Sequence, residues 1–138
     1  MLRLLPILAF AGIAACTAEQ APLLVDNVTV ARPLPGVPMS AGYLTLHNTT
    51  AQEIRITRVS SPQFAAVEMH ESVSEDGIAR MHELQEIVVP PAGSVVFEPG
   101  AKHLMLRAPI GEPELVTLQF FASDALLLSI DVKPGEPN

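Results

Sequence analysis

Few side chains in this 138-residue sequence can carry chemistry: four His, five Met and a single Cys. One Cys cannot form an intramolecular disulfide, a thiolate zinc site or a redox CxxC pair. The candidate chemistry therefore belongs to imidazole and thioether groups. Four of these groups fall in three short segments in the middle of the chain, where apolar and polar residues alternate.

The first of these segments, residues 67–73, shows why strand parity matters. Alternate side chains of a half-buried strand point to the core and to solvent. Met69 shares the parity of the Val residues at both ends of the segment, whereas His70 shares that of Glu68 and a Ser. We therefore expect Met69 in the core and His70 outside it.

The same test places two Met and a second His on polar faces. In residues 78–84, Ile78 and Leu84 mark the core side, so Met81 lies on the opposite face. In residues 103–107 the apolar pair is two Leu, and the polar side carries His103, Met105 and Arg107. His103 and Met105 would project side by side from one strand and could complete a four-ligand site.

The turn before Ile78 decides whether His70 and Met81 meet. A four-residue loop over residues 74–77 would pair them directly, and a two-residue Asp-Gly turn would set them diagonally on one face. Both registers bring imidazole and thioether within reach of one ion. A three-residue loop would instead place His82 opposite His70.

A set of two imidazoles and two thioethers favours one metal ion. Thioether sulfur is a soft, neutral ligand and selects Cu(I) over hard cations. Zinc prefers Cys, His or carboxylate. For each residue alone, a solvated or packing role is the simpler interpretation, but the four together predict a copper site formed by His70, Met81, His103 and Met105.

The remaining His and Met are expected outside this site. By parity, His82 should sit on the core side of its strand, partly buried or at an edge. His47 is expected to be structural or solvated, and Met39 lies in a Pro-rich loop that could fold over the site. Four acidic residues near the candidate ligands are interpreted as a solvated face: Glu68, Glu71, Glu83 and Glu86.

The elements that must position these groups are β-strands. Short apolar or alternating segments are divided by Pro, Gly and Asn at short intervals, which predicts an antiparallel sandwich with Greek-key connections and little or no helix. The segments at 42–48 and 54–60 are expected to form a hairpin. The other strands are predicted at residues 23–31, 67–73, 78–84, 94–97, 103–107, 115–121 and 126–132.

The N-terminus resembles an export signal. One Arg precedes an uncharged apolar run at residues 4–15, which is too short to span a bilayer. Ile-Ala-Ala before Cys16 resembles the lipobox of bacterial lipoproteins, so residues 1–15 are predicted to be a signal peptide and Cys16 to be acylated. The alternative is an ordinary secretory signal cut a few residues later. Residues 16–22 would be a tether and 23–138 the single domain.

Composition excludes one class of partner. The formal net charge of −7 and the absence of Trp argue against binding to nucleic acid, which needs a basic surface and often aromatic stacking.

The spacing of the four candidate ligands is similar to the signature of the periplasmic copper chaperones called PCu(A)C. Ten residues separate His70 from Met81, 21 separate Met81 from His103, and one separates His103 from Met105. Residues 42–49, Met-His-Glu at 69–71 and the Pro-Gly turns near 91–100 also resemble the family. The chain departs from some members by having Glu71 after the first His and no His- and Met-rich C-terminal tail.

The resemblance implies a cupredoxin-like β-sandwich that is not an enzyme. It also implies Cu(I) delivery in the periplasm to the copper-site subunit of cytochrome c oxidase, together with thiol-bearing assembly factors. We expect a monomer, held at a membrane by lipid on Cys16. Two alternatives stay open: a copper buffer or resistance protein, and a metal-free interaction module of the envelope. A blue-copper electron carrier would need a Cys thiolate near the ligands.

Overall fold

A computed structural model describes residues 21–135 of the chain. The predicted signal peptide over residues 1–15, its lipidation site at Cys16 and most of the tether lie outside the described residues. Within the described range no helix is long and apolar enough to cross a membrane.

Eleven strands and no helix make up the described part of the chain. Alternating burial along most of them shows why these segments form strands rather than helices, because a strand with one buried face needs a period of two. The strands are β1 (Leu23–Val30), β2 (Met39–Asn48), β3 (Ile54–Ile56), β4 (Arg58–Ser60), β5 (Phe64–Glu75), β6 (Ile78–Glu83), β7 (Ile87–Val89), β8 (Ser94–Phe97), β9 (Lys102–Pro109), β10 (Val116–Ala122) and β11 (Ala125–Val132).

The strands form one large antiparallel sheet and one small one. The large sheet runs in the order β1-β2-β9-β5-β4-β10-β11, with β6 added to β5 and β8 added to β2. A parallel bridge between Ala31 and Gly135 brings the two ends of this order together and nearly closes the sheet. β3 and β7 form the small sheet. The predicted all-β antiparallel sandwich with little or no helix is confirmed.

The core lies between the sheet faces and is aliphatic with a few Phe. Leu44 and Leu46 of β2, and Leu104 and Leu106 of β9, are at most 1% exposed. Burying one such side chain contributes about 1.5–3 kcal/mol. Met69, predicted to be in the core, is also buried.

The predicted hairpin between residues 42–48 and 54–60 is wrong. β2 pairs instead with β1, β8 and β9, while β3 pairs with β7, a strand that the sequence did not suggest. Asn48 explains the departure, because its side-chain amide donates hydrogen bonds to the carbonyls of Gln52, Val89 and Pro90. These bonds direct the chain out of β2 toward the second sheet.

Candidate metal site

The middle of the large sheet places the two predicted imidazoles side by side. β9 lies between β2 and β5, and His103 of β9 is directly opposite His70 of β5. Their ring centroids are 5.7 Å apart, and the rings are inclined at 48°. Directly opposed residues of antiparallel strands share a face, so both rings are on the outer side of the sheet.

His103 is oriented by the backbone. Its Nδ1 lies 3.1 Å from the carbonyl oxygen of Ala101. Since a carbonyl can only accept, Nδ1 carries the proton and Nε2 keeps its lone pair. Metal-binding imidazoles in proteins are commonly oriented in this way, by a hydrogen bond from the nitrogen that does not bind the metal.

His70 presents the opposite nitrogen. Its Nε2 is 3.1 Å from Oε2 of Glu68, and a carboxylate accepts, so Nε2 donates and Nδ1 keeps the lone pair. This Nδ1 is buried and has no hydrogen-bond partner among the residues that the structure describes. An unsatisfied buried acceptor costs about 1–3 kcal/mol, a cost that coordination to a metal would remove.

Glu68 links this imidazole to β9. Its carboxylate also accepts a hydrogen bond from Arg107 at 3.0 Å. Burial raises the pKa of Glu68, but the hydrogen bonds from Arg107 and His70 outweigh it and hold the pKa below its ordinary value. The carboxylate is therefore ionised at neutral pH and can accept both hydrogen bonds.

A two-residue turn positions Met81. Asp76 and Gly77 both have positive φ, 52° and 76°, as a type I′ turn requires. The resulting register pairs Met81 with Ser72, which sets Met81 diagonally to His70 on the same face. Of the three loop lengths considered from the sequence, the two-residue turn is thus confirmed.

An open cavity of about 370 Å³ gathers the candidate residues. Met81, His103 and Met105 line it, and the ring of His70 packs beside His103 at the distance given above. The cavity wall also includes Met39 and Tyr43 of β2 and the Pro-rich segment that precedes them. Among residues 21–135, no three His, Cys, Asp or Glu side chains are grouped so as to hold a metal ion.

The exposure of the site differs from the expectation of a polar face. His103 is only 8% exposed and the His70 side chain 12%, and the two rings pack against each other. Met81, in contrast, is 50% exposed. The four candidate ligands are on the predicted faces, but His103 lies in the wall of a cavity and His70 packs beside it.

Two predictions about β6 are wrong. Ile78 was expected to mark the core side, yet it is 58% exposed. His82, expected to be partly buried, is exposed and lies 3.2 Å from Glu75. The reason is that β6 pairs with β5 at the edge of the sheet, and all six of its residues are exposed. Leu84, just past the strand, packs against the core as expected.

Of the two other residues expected outside the site, one lies away from the cavity and one lines it. His47 contacts Asp26 of β1 at 2.9 Å and is not among the residues that line the cavity. Met39 lines the cavity, although the sequence was interpreted as a loop at this position. Alternation in the sequence does not reveal this part of β2, because the polar Ser40 is buried and the apolar Met39 is exposed.

Several solved structures share this architecture. The copper-bound PCuAC domain from PmoF2 matches with a TM-score of 0.68 at 20% identity, covering 84% of this chain and 94% of that one. Apo-DR1885 from Deinococcus radiodurans matches with a TM-score of 0.63 at 22% identity, covering 99% and 95%. The fold is therefore the cupredoxin-like β-sandwich of PCuAC domains.

The sequence itself defines the family. A family model described as "Putative lipoprotein LpqE-like" matches residues 23–133, and the chain belongs to this LpqE-like family. A curated relative, "Putative lipoprotein Lxx21020" of Leifsonia xyli subsp. xyli, is 29% identical over 104 residues, or 71% of this chain. The chain spans 63% of the length of that relative.

Proposed function

We propose that this protein is a copper metallochaperone that carries one Cu(I) on His70, Met81, His103 and Met105. The main support is the pair of imidazoles. In each, one nitrogen is fixed by a hydrogen bond and the other keeps its lone pair. Two thioethers line the same cavity as His103. This neutral, soft donor set suits Cu(I) better than any hard cation.

The structural relatives support copper as the cargo. One of them is described as a copper-bound PCuAC domain, and DR1885 has been solved as its Cu(I) form, which matches this chain with a TM-score of 0.60 at 23% identity. Their fold is the one described above. In this chain the metal is cargo without catalytic turnover, and the partly exposed cavity lets a partner reach it.

Binding is tested by competition for Cu(I) with bicinchoninate under reducing, anaerobic conditions. The wild-type protein should withdraw Cu(I) from the chelator, and Met81→Ala/Met105→Ala should do so at least about tenfold less well, since losing even a residue that only orients a ligand costs 10–100-fold. His82→Ala is the matched control, because it removes an exposed imidazole from the other face of β6. Equal, negligible affinity in all three proteins would refute the copper site.

Delivery, rather than storage, is the second part of the proposal. We infer that the acceptor is the copper centre of cytochrome c oxidase, reached in the periplasm together with thiol-bearing assembly factors. The test mixes the Cu(I)-loaded protein with the apo copper-site domain of the oxidase, alone and with such a factor, and follows the metal after separation. Metal that stays with the chaperone in both mixtures would favour a copper buffer instead.

Membrane attachment through Cys16 completes the proposal. It is supported by the lipobox-like sequence and by the LpqE-like family, whose description is that of lipoproteins. Cells supplied with a labelled fatty acid should incorporate it into the wild-type protein and not into Cys16→Ser. Label that persists in the variant would refute this assignment.

A further inference from the structure

A third thioether borders the cavity. Met39 begins β2 and lines the same space as Met81, His103 and Met105. A solitary exposed Met on a protein surface needs no explanation. Met39 differs because it faces a cavity that already contains two thioethers and an imidazole.

Strand register brings Met39 close to Met105. β2 pairs with β9 so that Ala41 is opposite Met105 and Met39 opposite Arg107. Met39 and Met105 are thus diagonal neighbours on one face, a spacing of about 7–8 Å between backbones that long side chains can bridge. Ala41, between Met39 and Tyr43 on that face, is small and leaves the space open.

The backbone on both sides of Met39 is fixed. The amide of Ala108 donates to the carbonyl of Pro38 at 2.7 Å, and the amide of Ala31 donates to that of Ala41 at 2.9 Å. The hydroxyl of Ser40 donates to the carbonyl of Ala31. Met39 is therefore held at the cavity by three interactions of its neighbours, although its own side chain is 43% exposed.

Exposure varies in one direction across the site. The two imidazoles are nearly buried, Met105 is half-buried, and Met39 and Met81 are the most exposed, at 43% and 50%. A metal that arrives from solvent or from a partner would therefore meet thioethers before imidazoles. Two exposed thioethers then stand on opposite sides of the cavity, on β2 and β6.

We propose that Met39 is a further Cu(I) ligand, used when the metal enters and leaves the cavity. In the exchange, a bond forms between copper and the sulfur of Met39 as the bond to the sulfur of Met81 or Met105 breaks. No electron is transferred, and copper remains Cu(I). The inference rests on the proposed function, because Met39 exchanges with ligands of that site.

The direct test is NMR of the full-length chain with ¹³C-labelled Met methyl groups, assigned by single Met→Leu variants and titrated with Cu(I) under reducing conditions. The methyls of Met81 and Met105 should shift, and that of Met39 should shift or broaden with them. Met69, buried in the core, is the internal control and should stay unchanged.

The outcomes separate the two proposals. A Met39 methyl that stays as constant as that of Met69, while Met81 and Met105 shift, overturns the role of Met39 and leaves the copper site intact. If no Met methyl shifts, both proposals fail.

A kinetic measurement distinguishes transfer from storage at the same residue. Met39→Leu keeps the size and apolar character of the side chain but removes the sulfur. Transfer of Cu(I) to excess bicinchoninate should slow several-fold. The equilibrium affinity should change by no more than about twofold, a factor that matches the small change in stability usual for surface substitutions. An unchanged transfer rate would contradict the proposal.

Discussion

β9 and β6 both supply side chains to the same cavity, but they are built differently. β9 is paired on both sides, by β2 and β5, and places Leu104 and Leu106 in the core beneath its outward residues. β6 pairs with β5, and all of its residues are exposed. The candidate site therefore has one side that is part of the folded core and one side that is attached only through a hairpin.

This difference separates stability from metal binding. Local opening of a protein is easiest where few apolar contacts must be broken, and β6 has no buried residue. A substitution in β9 should lower both the free energy of unfolding and the affinity for Cu(I). A substitution in β6 should lower the affinity alone.

The largest expected effect is the loss of stability when a side chain is truncated in β9 and not in β6. Leu104→Ala in β9 removes a fully buried side chain and should lower the free energy of unfolding by about 2–5 kcal/mol. Ile78→Ala in β6, where the side chain is 58% exposed, should change it by no more than about 0.5 kcal/mol. Urea unfolding followed by far-UV circular dichroism measures both. Similar losses in the two variants would show that β6 is part of the cooperative core.

The next effect concerns the position of a thioether on β6. Met81→Ala/His82→Met keeps one Met in the strand but moves it to the opposite face, since successive residues of a strand point to opposite sides. Cu(I) affinity measured by chelator competition should fall at least about tenfold, as far as in Met81→Ala alone. Wild-type affinity in the double variant would mean that β6 changes its register to bring the sulfur back.

The smallest expected effect is on stability, when either of two carboxylates of β5 is neutralised. Glu75 pairs with Arg80 at 3.0 Å and with His82 on the exposed hairpin, so Glu75→Gln should change stability by less than about 0.5 kcal/mol. Glu68, only 23% exposed, accepts hydrogen bonds from His70 on its own strand and from Arg107 on β9, so Glu68→Gln should cost more, about 1 kcal/mol. Thermal unfolding without copper measures both. The reverse order would indicate that the hairpin stabilises the fold.

Local alternation in the sequence was enough to predict most of the strands and the faces of the four candidate ligands. His70, Met81, His103 and Met105 all lie on the predicted sides of β5, β6 and β9, because parity depends only on immediate neighbours. The two-residue turn was one of three alternatives, and the positive φ of both its residues is typical of Asp-Gly.

Long-range pairing could not be predicted in the same way. The path of the chain after β2 involves Asn48, whose hydrogen bonds reach residues about forty positions further along the chain. The cavity beside His103 is completed by residues of the Pro-rich segment, and the exposure of Ile78 follows from the edge position of β6. Such features arise from tertiary packing, which period-two patterns do not encode.

β1 has a consequence for how the cavity would be presented at a membrane. Its first residue, Leu23, is opposite Asn48 at one end of the sheet, and its last, Val30, leads directly into Ala31 and Arg32 at the cavity wall. An eight-residue strand separates these ends by roughly 25 Å. With lipid attached at Cys16, the chain would enter the domain at the end remote from the cavity. The strand would then act as a spacer between the point of attachment and the cavity.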